Sequence, residues 1–212
     1  MNTVIIGTGS IGSRLAKNLA LGGENIILAD RTLAKAQKLT NELGGRATAM
    51  SISDAIKKAD IIIFAVYFDA IKALIAQYRS DLAGKIIVDP SNPIAPDGKG
   101  GFKKTIPADQ SSGQLLAALI PGDAELVKAF GTLGAESLAS GANRSPDRAV
   151  LFYASDFPEA GRAVAKLIKA SGFSPVFVGG ISQSIRIEVG GDLHEFGKLG
   201  KLVSAKEAET IV

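Results

Sequence analysis

The turn Gly7-Thr8-Gly9-Ser10-Ile11-Gly12 constrains this chain more than any other stretch. It follows directly on an apolar, β-branched run, Thr3-Val-Ile-Ile6, and opens a segment with Ile11, Leu15 and Leu19 on one helical face, stopped by Gly22-Gly23. A G-x-G-x-x-G set between a strand and a helix is a dinucleotide-binding fingerprint. Gly7 permits the tight turn, Gly9 lets the backbone approach a pyrophosphate, and Gly12 lets the helix pack close to the strand. The helix N-terminus then offers free N–H groups to the anion. A glycine-rich turn with no ligand is the bland alternative, and the strand-turn-helix context argues against it.

The alternation continues through the first 90 residues. Strands are expected at 25–29, 47–50, 61–66 and 85–88. Helices are expected over 32–43 with Thr32 as N-cap, up to Lys58 with Ser51 or Ser53 as cap, and over 69–78. Continuous apolar strands alternating with helices describe a mostly parallel sheet covered on both faces, a Rossmann-type doubly wound α/β fold. Residues 89–113, with Pro90, Pro93, Pro96 and Pro107, predict a long functional loop. A short helix (113–120), a strand (125–130) and a strand-helix-strand unit (149–153, 158–170, 175–178) follow, with a partly helical tail from Gly179. The expected division is a dinucleotide-binding domain over 1–140 and a small α/β extension over 141–212, which builds an acceptor pocket and a dimer interface.

Composition removes several chemistries from the 212-residue chain. Without cysteine there is no disulfide, thiolate metal site or Cys nucleophile. The single histidine, His194, leaves little for a His-based metal site or a Ser-His-Asp triad, and is expected at the surface or an interface. A net charge of +3 spread over scattered residues is a solvated surface, with no nucleic-acid stripe. The longest apolar run, Ile61 to Phe68, is far short of the roughly 20 residues of a membrane-spanning helix. Met1-Asn2 leads straight into a strand-like run with no signal-peptide pattern, so a soluble cytoplasmic protein with no membrane partner is expected.

Asp30 closes the second strand, 18 residues after Gly12. An acid there accepts hydrogen bonds from the adenosine ribose and favours NAD. Arg31 follows at once and Lys35 lies one helical turn later, two cations suited to a 2′-phosphate. From the residues alone NAD and NADP stand nearly even. The nicotinamide should cross the ends of the strands at Ala65-Val66-Tyr67-Phe68 and Asp89-Pro90-Ser91-Asn92-Pro93. Small Ala65 and Val66 would let it pass close, and Asn92 could bind its ribose or carboxamide. Tyr67 and Phe68 fit core or rim equally well, and Ser91-Asn92 between prolines also reads as a turn. No residue presents itself as a catalytic acid or base. A substrate protonated on oxygen is therefore not expected, whereas a flavin-type ring that accepts a hydride needs little beyond alignment of two cofactors.

At this point the chain resembles the NADPH-dependent reductases of the deazaflavin coenzyme F420, and is similar to the cytosolic reductase domain of the six-transmembrane metalloreductases. The resemblance rests on Gly7 to Gly12 with Arg31 and Lys35, on Lys85-Ile-Ile-Val-Asp-Pro-Ser-Asn-Pro93, on Gly98 to Phe102, and on Leu126-Val-Lys-Ala-Phe-Gly-Thr-Leu-Gly-Ala135. It implies NADP(H), with Thr8, Arg31 and Lys35 at or near the 2′-phosphate. It also implies that Ser10, Ile11, Ala65, Val66 and Asn92 line the pyrophosphate and nicotinamide, and that Gly131 and Thr132 lie where a flavin or deazaflavin acceptor sits. Gly131 departs from the His or Asn of relatives, and Asp30 from their small hydroxyl residue. The length leaves no room for a transmembrane haem domain. The expected activity is hydride transfer between NADPH and a flavin-type acceptor, in a homodimer. The rivals are a non-catalytic NADP(H)-binding sensor and a reductase of small imines or keto compounds.

Overall fold

The computed structural model describes all 212 residues. In chain order, β1 (Thr3–Ile6), α1 (Ser10–Leu21), β2 (Ile26–Ala29), α2 (Leu33–Leu43) and β3 (Ala47–Met50) come first. Then α3 (Ile52–Lys58), β4 (Ile61–Phe64), α4 (Phe68–Gln77) and β5 (Ile86–Asp89) continue the alternation. A hairpin of β6 (Ile94–Pro96) and β7 (Phe102–Lys104) precedes α5 (Ser112–Ala117), β8 (Glu125–Lys128) and α6 (Ala135–Ser140). Last come β9 (Val150–Tyr153), α7 (Pro158–Ala170), β10 (Ser174–Phe177), a 3-10 helix over Ile181–Ile187 and α8 (Ala205–Ala208).

Six strands form one sheet in the order β3-β2-β1-β4-β5-β8, every neighbour parallel. This is a doubly wound Rossmann-type α/β fold. The chain reverses its direction of travel across the sheet between β1 and β4, so the switch-point crevice opens at the C-terminal ends of those two strands. Successive side chains point to opposite faces, which explains why the strands are apolar at nearly every position. Ile5, Ile63, Val88 and Val127 pack towards α1, α2, α6 and α7, while Val4, Ile62, Phe64, Ile87 and Leu126 pack towards α3, α4 and α5.

The C-terminal residues are continuous with this core. Leu151, Val164, Ile168 and Phe173 join the cluster that holds Ile5 and Leu15. An antiparallel bridge ties Lys128 to Ala154. A smaller cluster of Val150, Phe152, Val178, Ile187, Leu193 and Val203 binds the tail to β9.

Several expectations are corrected. The strand from Ile61 stops at Phe64, because the N–H groups of Ala65 and Val66 turn back to the carbonyls of Ile63 and Phe64. β8 likewise stops at Lys128, two residues early. Thr32 stands before α2, but its side chain makes no capping bond. Ser51, not Ser53, caps α3 by accepting from the Asp54 N–H. The stretch from Asp89 carries the β6–β7 hairpin, and α6 has no counterpart in the expected elements.

Candidate active site

The glycine turn is shaped as its sequence demands. Gly7 has φ +101°, and a Cβ there would lie 2.4 Å from the Ala65 carbonyl oxygen and 2.6 Å from Val66 Cγ1. At Gly12 a Cβ would fall 1.9 Å from the Gly7 carbonyl oxygen, so α1 packs on the turn with no room for a side chain. Gly9 is the opposite case: a Cβ would meet nothing within 4 Å. The space above Gly9 is open, and the N–H groups of Gly9, Ser10, Ile11 and Gly12 donate to no protein acceptor. With no acid in the first turn of this 12-residue helix, the turn fits a pyrophosphate.

Asp30 takes a role the sequence does not announce. Its Oδ2 accepts from the Thr8 N–H at 2.9 Å and the Thr8 hydroxyl at 2.8 Å, and its Oδ1 accepts from the Thr32 N–H at 3.0 Å. Burial pushes the carboxyl up, but the bonds from Thr32 and Thr8 and the charge of Lys35 outweigh it, holding the pKa below the usual 3.8. Asp30 is thus a clamp on the glycine turn, and it occupies Thr8 as well. Arg31 and Lys35 are exposed and form no ion pair, so both are free for an anion at this edge. A cleft lined by Leu33, Met50, Ser51 and Asp54 lies alongside.

Across the switch point, Ala65 and Val66 are half-buried, Phe68 is in the core, and Tyr67 is 87% exposed. Asn92 is held at both ends of its amide: Nδ2 donates to the Gly131 carbonyl at 2.9 Å and Oδ1 accepts from the Val189 N–H at 2.7 Å. Phe130, buried completely, has φ +65°, an uncommon conformation for a bulky residue that bends the chain into Gly131-Thr132. A Cβ on Gly131 would lie 2.7 Å from the Pro90 carbonyl oxygen, so this backbone does not admit the side chain of relatives. The Thr132 and Ser91 hydroxyls are buried without partners.

His194 is not at the surface: it is 1% exposed. The tail folds back behind Gly190-Gly191, with Leu193 anchored in its core cluster. The ring Nδ1 accepts from the Phe196 N–H, which leaves the proton on Nε2 to donate to the Gly131 carbonyl, both at 2.9 Å. Burial, with the nearby Lys128 charge, lowers its pKa to about 4, against the opposing pull of the Gly131 carbonyl. It is a neutral brace behind position 131, closed to a second copy of the chain.

The structure also assembles ionisable groups where the sequence offered no acid or base. Lys128, at 0% exposure, reaches Asp89 Oδ2 at 2.8 Å, Ser112 Oγ at 2.6 Å and the Ser91 carbonyl oxygen, with Glu188 Oε1 at 3.4 Å. The signal was present, because a lysine inside the apolar run Leu126-Val-Lys-Ala-Phe of a buried parallel strand needs a buried partner. Glu188 left no such trace, since it comes from a tail with no periodicity.

Parallel sheet, switch-point crevice and open amide turn define a dinucleotide-binding protein of the Rossmann class. Residues 2–93 match the family model described as NADP oxidoreductase, coenzyme F420-dependent. The chain is 32% identical over 98 residues to the F420-dependent NADP reductase of Methanothermobacter thermautotrophicus, covering 43% of this chain and 42% of that one. It is 29% identical over 184 residues to the metalloreductase STEAP3 of Rattus norvegicus, covering 87% of this chain and 35% of that protein. The chain therefore spans well under half the length of these curated relatives. A crystal structure of a hypothetical protein from Sinorhizobium meliloti superposes with a TM-score of 0.84 and 33% identity, over 96% of this chain and 95% of that one. Over residues 2–93 the chain is thus similar to the coenzyme F420-dependent NADP oxidoreductases, as the sequence resemblance implies. No helix is long and apolar enough to cross a membrane.

Proposed function

We propose that this protein transfers a hydride between NADP(H) and a flavin or deazaflavin acceptor. The observation that carries the cofactor choice is the orientation of Asp30. Its carboxylate is turned onto Thr8 and Thr32, so it does not guard the ribose edge against a phosphate, while Arg31 and Lys35 stand unpaired beside it. In this reading the amides of Gly9, Ser10 and Ile11, across from Gly7, hold the pyrophosphate. Arg31 and Lys35 take the 2′-phosphate, next to Thr8, whose N–H and hydroxyl stay on Asp30, and the adenine rests on Leu33 in the adjoining cleft. The nicotinamide passes Ala65 and Val66 to Asn92, and supplies the hydride once bound. The acceptor ring lies beside the Gly131-Thr132 stretch, whose backbone is held in close contact with the Pro90 carbonyl. Residues 1–140 act as the dinucleotide-binding unit and 141–212 close the acceptor side, in a homodimer working in the cytoplasm.

One observation favours a second reading. Lys128 and Glu188 are acid–base groups of the kind that reduction of a small imine or ketone requires. The test is anaerobic NADPH oxidation against FAD, FMN, riboflavin, a deazaflavin, a cyclic imine and a small ketone. Saturable turnover with a flavin-type acceptor supports the proposal, and turnover confined to the imine or ketone replaces it. Tight NADPH binding with no turnover on any of them points to a sensor.

A further inference from the structure

Arg14, in the second turn of α1, is a cation without a counter-ion. Its side chain is half-buried, yet it forms no ion pair. A guanidinium carries about five N–H donors. Here a single protein acceptor serves them, the Ser10 carbonyl, which accepts from Nη1 at 2.8 Å. Nε is buried with no partner at all, and Nη2 also donates to nothing in the protein. This side chain keeps its charge at every accessible pH, so taking it partly out of water calls for an anion that the protein itself does not provide.

The register of α1 fixes which way Arg14 faces. Asn18, one turn further along the same flank, donates from Nδ2 to the Leu138 carbonyl of α6 at 2.9 Å. Lys17, on the other flank, pairs with Glu42 of α2 at 3.8 Å. Helices α1 and α6 both start from the C-terminal ends of parallel strands, β1 and β8, so one turn back from Asn18 is level with the start of α6. That start, Gly134, follows directly on Gly131-Thr132. Helical side chains lean towards the N-terminus, which carries the guanidinium further in that direction. Arg14 thus stands on the flank of the glycine turn that faces the acceptor wall, opposite to Arg31 and Lys35 beside β2. The acids of this wall leave it alone. Glu195 turns its two oxygens onto the Gly134 N–H and the Ser137 hydroxyl, and Glu136 is exposed and unpaired.

We infer that Arg14 anchors an anionic group of the acceptor, which makes the acceptor a flavin-type ring that carries a phosphate. This rests on the flavin reading proposed above. In that reading the phosphates of the cofactor are already provided for: the amides of Gly9, Ser10 and Ile11 hold the pyrophosphate, and Arg31 and Lys35 take the 2′-phosphate on the far flank. Arg14 is the cation left over, on the side where the second ring lies. Its fork is tied by one hydrogen bond only, so it is free to turn onto a phosphate, with which a guanidinium forms charge-assisted bonds.

Quenching of flavin fluorescence by the full chain loaded with NADP+ tests this without turnover. FMN is compared with riboflavin, which has the same ring and no phosphate. The wild type should bind FMN more tightly, by about ten- to a hundredfold, as expected for a charge-assisted contact. Arg14→Met should bring FMN down to the level of riboflavin, while riboflavin and NADPH bind as before. Arg14→Gln, neutral but still an N–H donor, gives the same comparison should Arg14→Met not fold. Equal binding of FMN and riboflavin by the wild type overturns the role of Arg14, and so does a preference for FMN that survives in the variants. If NADPH weakens along with FMN in a variant whose circular dichroism is unchanged, Arg14 serves the pyrophosphate and the inference falls. A wild type that binds NADPH but neither flavin overturns the flavin reading itself, and this inference with it. Flavins that bind without discrimination leave that reading standing and remove only Arg14 from it.

Discussion

Replacing Lys128 with Met tests how much of the fold depends on the buried ion pair. Methionine matches the unbranched stem, so the packing of β8 is largely kept and the loss is electrostatic. What disappears is three donated hydrogen bonds, to Asp89, Ser112 and the Ser91 carbonyl. Asp89 would remain as a carboxylate at 0% exposure with only Ser112 and the Ser91 N–H to satisfy it. Removing one partner of a buried pair in this way costs about 3–5 kcal/mol. At roughly 2–4 °C per kcal/mol for a chain of this size, the melting temperature should fall by about 6–20 °C. Urea unfolding followed by circular dichroism gives the same quantity as a shifted midpoint at unchanged slope. Adding Asp89→Asn should recover part of the loss, with a coupling of about 0.5–3 kcal/mol, because a neutral amide no longer needs the ammonium. A loss below about 1 kcal/mol, the range of exposed pairs, would refute the claim that this pair is buried and structural. Strict additivity in the double variant would refute the claim that Lys128 acts through Asp89.

Other outcomes separate the parts of the site. Arg31→Ala should weaken NADPH binding by about 1.5–3 kcal/mol, roughly ten- to a hundredfold, and leave NADH unchanged in equilibrium titrations. Gly12→Ala should weaken both nucleotides alike, because the added Cβ 1.9 Å from the Gly7 carbonyl oxygen must displace the turn itself. His194 gives a pH signature: its pKa falls from 6.5 in the unfolded chain to about 4 in the fold, so the unfolded chain binds the extra proton between those values. Its contribution is complete above pH 6.5 and is lost as the pH falls towards 4, by about 3 kcal/mol. Denaturation of His194→Gln across that window should lack this part of the slope.

The parallel sheet was legible because its strands are short, continuous apolar runs punctuated by glycine, and because Gly7 to Gly12 fixes a strand-turn-helix at a known place. What escaped was set by contacts far apart in sequence. The end of β4 depends on carbonyl turns at Ala65 and Val66, which no propensity records. His194 reads as a polar residue in a glycine-rich tail, and only the docking of Leu193 into the small core takes it inside. Asp30 has the position of a ribose ligand, and its rotation onto Thr8 is a matter of side-chain geometry that spacing does not encode. Glu188 joins Lys128 from 60 positions further along the chain, a pairing that exists only once the tail has returned to the sheet.

The Asp30 clamp has a consequence for anyone redesigning this protein, and for the evolutionary paths open to it. In Rossmann proteins the acid after the second strand is the usual handle for switching between nicotinamide cofactors. Here the same carboxylate secures the turn through Thr8 and Thr32, so selectivity and loop integrity share one side chain. Exchanging Asp30 would trade one property against the other. Arg31 forms no ion pair and no side-chain hydrogen bond, and cofactor preference can drift or be engineered there without loosening the turn.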